Sequence, residues 1–214
     1  MKVIAFNGSP HQQGNTAILL TTVLNTLEQN NIQTELIHVG ASQVQGCTAC
    51  GACYEKKNKQ CVLQNDSVNS WIEKMTEADG IIIGSPVFFS DLSGQLKSFL
   101  DRAFFVANAN GQMLQRKLGA GVVAVRRAGA IHTLNSINAY FTISQMVIVG
   151  SSYWNMGFGM EAGEALKDAE GLQTMCNLGS NMAWLLHSLA AAKNIVEPPQ
   201  TSLQNRTNFI RSDL

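Results

Sequence analysis

Apolar residues fall along this chain in two alternating rhythms: short unbroken runs, and longer stretches in which they recur every three or four positions. Residues 3–6 form the first run. They lead into a stretch where Ala17, Ile18, Leu20, Val23, Leu24 and Leu27 share one side, which predicts a buried strand and then an amphipathic helix capped at Asn15 or Thr16. A second strand is expected over 34–39. Ser67 stands where a cap belongs ahead of Val68, Trp71, Ile72 and Met75. Residues 80–84, Gly-Ile-Ile-Ile-Gly, read as a strand buried on both faces, and 93–104 as a helix with Leu96, Phe99, Leu100 and Ala103 in one stripe. A strand over 122–125, a helix over 131–145, a fifth strand over 146–149 and a long helix over 171–192 complete the pattern. Leu172, Met175, Leu178, Met182 and Leu185 face inward on that last helix, and Cys176 is placed in the core with them.

Five strands alternating with helices predict an α/β fold. Its form is a doubly wound, five-stranded parallel sheet in a three-layer α/β/α sandwich, with the ligand crevice at the carboxyl ends of the strands. Residues 1–192 make one domain, and the polar stretch 193–214, with Pro198-Pro199, is an extension. The 15 basic residues equal the 15 acidic ones, so nothing favours a nucleic-acid backbone or an anionic membrane as partner. The apolar stretch 182–192 is interrupted by His187 and Ser188 and is too short to span a bilayer. With no leader pattern, a cytoplasmic protein is expected, and its five cysteines read as thiols or ligands rather than disulfides. The sequon Asn205-Arg206-Thr207 is then a chance match.

Three loops fall at the strand ends. Residues 6–18 pass from strand to helix through small and hydrogen-bonding residues, so the helix start directs free N–H groups and the positive end of its dipole into the loop. Gly8 and Gly14 permit close backbone approach, while Ser9, Asn15 and Thr16 can add side-chain donors to a phosphate. An ordinary polar turn is the alternative, since neither a P-loop nor a GxGxxG is present. The second loop, Ser85-Pro86-Val87-Phe88-Phe89-Ser90-Asp91, suits a flat heteroaromatic ring, with one phenylalanine expected to plug the core. The third, Arg126-Arg127-Ala128-Gly129, brings two guanidiniums to the crevice mouth.

On the Gly8-Ser9-Pro10, Gly14-Asn15-Thr16 and Gly84-Ser85-Pro86-Val87-Phe88-Phe89 motifs, the chain resembles the flavodoxin-like NAD(P)H-dependent FMN reductases, most closely their iron–sulfur flavoprotein branch, from Lys2 to about Ala192. The resemblance implies that Ser9, His11, Asn15 and Thr16 hold the FMN phosphate. It also implies that Pro86, Val87, Phe88, Phe89 and Ser90, with Arg126, Arg127, Ala128 and Gly129, bracket the isoalloxazine. His11 departs from the arginine usual in relatives, replacing a fixed cation by an imidazole whose charge depends on pH. Phe88 departs from a frequent tyrosine and removes a hydroxyl donor. The implied chemistry is hydride transfer from NAD(P)H to the flavin and then electron transfer to a small acceptor such as a quinone, flavin or nitro compound, in a homodimer or homotetramer. The aromatic segment 151–159 covers the ring, reaches a neighbouring subunit or packs on its own domain.

Cys47, Cys50, Cys53 and Cys61 form C-x2-C-x2-C-x7-C between the second strand and the Ser67 helix. So compact a run can wrap a cubane, and iron–sulfur flavoproteins use such a motif for a four-iron, four-sulfur cluster. Zinc is a second reading and a metal-free loop a third. A cluster would favour an electron carrier fed by ferredoxin over an NAD(P)H enzyme, because it splits an electron pair.

Overall fold

Strands made almost wholly of apolar residues must be covered on two sides, and helices do this here. The computed structural model describes residues 1–202, 205 and 207; the rest of the 193–214 extension, with Arg206 of the sequon, lies outside the described residues. Five parallel strands, β1 (Lys2–Asn7), β2 (Gln33–His38), β3 (Gly80–Pro86), β4 (Leu118–Val125) and β5 (Val147–Ile148), lie in the order β2-β1-β3-β4-β5. That is the flavodoxin-like order. Helices α1 (Asn15–Gln29) and α6 (Ala169–Ala192) cover one face, and α3 (Val68–Glu77), α4 (Gly94–Ala109) and α5 (Ala130–Ile143) the other; the short α2 (Ala52–Lys56) belongs to the cysteine segment.

Alternation along each strand feeds both layers. Val3, Ala5, Ile82 and Val122 pack with Leu19, Leu20, Met175 and Leu178, while Ile4, Phe6, Ile81 and Ile83 pack with Trp71, Phe99 and Leu100. Phe99 sits at the middle of the second layer, its ring 4.9 Å from that of Phe6 and 5.2 Å from that of Trp71. On the first layer, α1 and α6 meet closely because Gly179 carries no side chain: a Cβ there would lie 2.7 Å from Thr26 Cβ.

Several expectations need correction. The fifth strand is split: Val147 and Ile148 pair with Leu118 and Gly119, the chain then leaves the sheet, and β6 (Met156–Phe158) resumes beside Val123 to Val125. Polar bonds within the excursion, Ser151 Oγ to Asn155 Oδ1 at 2.7 Å and Asn155 Nδ2 to Val149 O at 3.4 Å, replace the ladder it interrupts. β4 begins at Leu118 rather than 122, because Gly119 and Gly121 carry no apolar signal yet are the residues that let Phe141 and Leu134 approach the sheet. The cap of α1 is Gly14, in extended conformation, so Asn15 and Thr16 are the first helical residues. Cys176 is exposed and not core; Met175, Leu178, Gly179 and Met182 take the inward positions. Leu186 is fully buried and Leu185 only partly. Among the described residues no helix is long and apolar enough to cross a membrane.

Because Phe99 is fully enclosed by aromatic and aliphatic neighbours, Phe99→Ala should cost about 3–5 kcal/mol, the usual range for deleting a buried phenyl ring. Urea unfolding should report it as a lowered midpoint at unchanged slope.

Candidate functional site

At the carboxyl ends of β1, β3 and β4 lies a cavity of about 410 Å³. Ser9, His11, Gly14, Asn15 and Thr16 line it from the first loop, Pro86 and Val87 from the second, Ala124 and Arg126 from β4 and its loop, and Gly159 to Ala162 from the stretch after β6. The first loop is held rigidly. Gly8 N donates to Gly84 O at 2.8 Å, Ser9 N to Asn7 Oδ1 at 3.0 Å and His11 N to Ser9 Oγ at 3.1 Å, while His38 Nε2 lies 2.7 Å from Ser9 O. The next turn comes so close that a Cβ on Gly40 would stand 2.0 Å from Ser9 O, so only glycine fits there.

Donors without acceptors define this cradle. Ile18 N to Gly14 O is the first backbone bond of α1, which leaves the N–H groups of Asn15, Thr16 and Ala17 without backbone partners among the described residues. Thr16 Oγ1 is buried and likewise has no partner among them. Orphaned buried donors at a helix N-terminus suit an anionic ligand, and the donor set fits a phosphate.

Asn15 lines the cavity in a different way from that expected. Its Nδ2 donates to Glu161 O at 2.9 Å and its Oδ1 accepts from Ala165 N at 3.1 Å, so the side chain staples residues 157–165 to the cradle instead of pointing a donor into it. Glu164 reinforces that turn by accepting from Met160 N and Glu161 N, and those bonds lower its pKa. Met160, Glu161 and Ala162 are lining residues that the sequence did not disclose, since nothing in their polarity or spacing marks them. His11 is exposed on the cavity wall.

The second loop departs further. Phe88 N donates to Asp91 O at 2.7 Å, closing a turn whose two central residues, Phe89 and Ser90, have φ of 46° and 81°. Such a turn favours Asn-Gly, so a phenylalanine there is strained. Neither ring plugs the core: Phe88 is half exposed and Phe89 is 98% exposed. Pro86, Val87 and Arg126 reach the cavity, whereas Phe88, Phe89, Ser90, Arg127, Ala128 and Gly129 stand outside its lining on the two flanking loops. Gly129, with φ of 94°, caps α5. Of segment 151–159, Gly159 lines the cavity, while Tyr153 and Trp154 stay exposed and pack edge to face at 4.6 Å.

Cys47, Cys50, Cys53 and Cys61 line one separate cavity of about 170 Å³, with Val62, Leu63, Phe105 and Val106 as apolar walls. A single tetrahedral ion would need its thiolates about 3.8 Å apart, from a metal–sulfur bond of 2.3 Å. Among the described residues no three Cys, His, Asp or Glu side chains gather that closely. The cavity itself brings the four thiols to one apolar-walled space. The Ala52 N–H and then the Thr48 hydroxyl lower the pKa of the exposed Cys50 thiol, whereas burial raises that of Cys53. Behind Cys61 stands a residue the sequence reading missed. Arg102 is fully buried on α4 and ion-paired with Asp66. Its signal was present: with Phe99, Ala103 and Val106 it occupies the apolar stripe of that helix, where a charge is out of place.

Against known proteins, residues 1–161 match the family model of the NADPH-dependent FMN reductases. The chain belongs to this family. Membership supports binding of FMN and oxidoreductase chemistry. An iron–sulfur flavoprotein of Methanocaldococcus jannaschii is 37% identical over 190 residues, covering 86% of this chain and 96% of its own. Another from Methanosarcina thermophila is 30% identical over 189 residues, covering 87% and 95%. Among solved structures, RosB with a bound 8-demethyl-8-formylriboflavin-5′-phosphate superposes with a TM-score of 0.72 at 14% identity, covering 99% of this chain and 96% of that one, a likeness of fold.

Two outcomes follow from this geometry. Asn15→Ala removes both bonds of the staple, so amide exchange across 157–165 should accelerate severalfold while the β1 core keeps its protection. Global stability should fall by about 1–2 kcal/mol, because the N–H of buried Ala165 loses its acceptor while the exposed Glu161 carbonyl turns to water. Burial alone would raise the pKa of Asp66, but the Arg102 guanidinium and the Val68 N–H outweigh it and hold it below the ordinary carboxylate range. A carboxyl depressed on folding stabilises the fold above its unfolded pKa and loses that contribution as pH falls through the folded one. The melting temperature of the protein should therefore drop steeply below about pH 4, and Asp66→Asn should flatten that limb.

Proposed function

We propose that the protein is an FMN-dependent oxidoreductase whose four-cysteine cavity holds a four-iron, four-sulfur cluster, so that electrons taken as a pair from NAD(P)H leave singly. The observation that carries the reading is the pairing, on one domain, of a cradle of orphaned donors with a separate cavity lined by four thiols. Relatives named iron–sulfur flavoproteins that align over nearly their whole length support it. FMN held there would supply hydride exchange with a nicotinamide and electron transfer to a small acceptor or to the cluster.

The remaining roles fall to the chain. The N–H groups of Asn15, Thr16 and Ala17, with the Thr16 and Ser9 hydroxyls, hold the phosphate, and His11 adds to it from the cavity wall. Pro86 and Val87 on one side and Arg126 on the other bracket the ring, with Phe88, Phe89 and Ser90 and with Arg127, Ala128 and Gly129 forming the mouth through which a nicotinamide enters. Arg126 and the backbone N–H groups of its loop stabilise negative charge that develops on the ring system. Cys47, Cys50, Cys53 and Cys61 supply the four thiolates.

A second reading has its own support. The cysteine cavity opens beside the exposed side chains of Tyr54, Val62 and Phe105, where a protein donor such as ferredoxin could deliver single electrons directly. Anaerobic reconstitution followed by iron and sulfide analysis and stopped-flow mixing with NADH, NADPH or reduced ferredoxin distinguishes the two. Rapid bleaching of the flavin by a nicotinamide supports the first. Reduction by ferredoxin alone supports the second, and flavin without iron or sulfide removes the cluster from both.

Thr16→Val keeps the shape and removes the orphaned hydroxyl. FMN affinity should fall roughly tenfold or more, since a charge-assisted bond contributes about 1.5–3 kcal/mol. Riboflavin, lacking the phosphate, should bind wild type and variant equally weakly in a fluorescence titration.

A further inference from the structure

The segment that carries the four cysteines has little reason of its own to stay closed. Ala49, Lys57 and Lys59 all take left-handed backbone angles, with φ of 52°, 46° and 63°, conformations that side chains other than glycine disfavour. Something outside the segment must hold it. Both of its ends converge on one side chain, Arg102 of α4.

Every donor of that guanidinium is engaged. Nε donates to Cys61 Sγ at 3.3 Å; Nη1 donates to Gln45 O at 3.1 Å and to Asp66 Oδ2; Nη2 donates to Leu63 O at 2.7 Å and to Asp66 Oδ1 at 3.1 Å. Gln45 lies just before the first cysteine and Asp66 just after the last, so the entry and exit of the segment meet on one buried ion pair. From the other side, Asn69 of α3 accepts from Cys61 N at 2.7 Å and donates to Cys61 O at 2.9 Å. Cys61 is therefore fixed by side chains from two helices, whereas Cys47 and Cys50 stand exposed.

We propose that Arg102 is the positioning residue of the four-cysteine site, closing the 45–66 segment before a cluster arrives and giving Cys61 Sγ a fixed N–H donor that raises the reduction potential of a cluster bound there. The inference rests on the cluster reading above. Reduction adds negative charge that spreads onto the ligand sulfurs, so an N–H bond to one of them is stronger in the reduced state than in the oxidised one. The planar fork matters as much as the charge. Lysine has three donors on a flexible stem and cannot serve a carboxylate, two carbonyls and a sulfur at once.

Arg102→Lys tests both parts in the full chain. In metal-free protein, amide exchange over 45–66 should rise at least tenfold while β1 and α1 keep their protection. After anaerobic reconstitution, an electron-paramagnetic-resonance titration should place the cluster midpoint below that of wild type. Asp66→Asn provides a second variant should the lysine protein fold poorly. It leaves the Cys61 bond in place but removes a negative charge, so the midpoint should move upward. Unchanged exchange over 45–66 in Arg102→Lys overturns the closing role, and an unchanged midpoint in Arg102→Lys, or in Asp66→Asn should that be the variant that folds, overturns the role in setting the potential. Wild-type protein that takes up no iron or sulfide refutes the cluster reading instead, and the exchange comparison in metal-free protein still decides whether Arg102 closes the segment.

Discussion

The constraint on which the rest of this structure depends is that a parallel sheet of apolar strands must be covered on both faces. Each crossover that supplies a covering helix also brings a loop and a helix start to the carboxyl edge of the sheet. The cavity at that edge is thus a consequence of covering Ile81, Ile82 and Ile83 from two sides. Its chemistry is set by what the loops carry. Two helix starts at this edge, those of α1 and α5, are capped by a glycine and carry an unpartnered threonine hydroxyl among the described residues, and it is the α1 start that lines the cavity.

How far the sequence disclosed this depended on whether burial showed itself as apolar periodicity. Runs such as Gly80-Ile81-Ile82-Ile83-Gly84 and the stripe Leu96, Phe99, Leu100, Ala103 announce their elements directly. Where glycine does the packing, the signal disappears: Gly119 and Gly121 lie within β4 because Phe141 and Leu134 press on them, so the strand is longer than its apolar run. The split between β5 and β6 was invisible for another reason, since its stabilising bonds run between Ser151, Asn155 and Val149 within the excursion, and no pattern of polarity encodes them.

The candidate site was legible in residue type more than in orientation. The cradle residues do line one cavity, yet Asn15 faces Glu161 and Ala165, and the phenylalanines of the second loop point to solvent. Both departures come from backbone geometry rather than composition. Starting α1 at Asn15 instead of capping it there aims the Asn15 amide at the later turn, and positive φ at Phe89 and Ser90 swings the rings outward. Arg102 is the opposite case: its place in an apolar stripe was readable, but its purpose needs the cysteine segment folded against it.

The two cavities also differ in how they accommodate charge. Around the cysteines a full cation is buried and neutralised by Asp66, so the field at Cys61 comes from an N–H dipole held at a fixed distance and little affected by salt. In the cradle, the donors are backbone amides and hydroxyls, and the cationic side chain on the lining, Arg126, is solvent-exposed. An anion held mainly by pre-aligned dipoles loses little when salt screens an exposed guanidinium. On the function proposed above, that arrangement leaves Arg126 free of the phosphate and available to the ring, with the His11 imidazole on the cavity wall beside the helix start. On that reading the helix start does the electrostatic work at that end of the cavity, and the residue beside it adjusts the affinity rather than creating it.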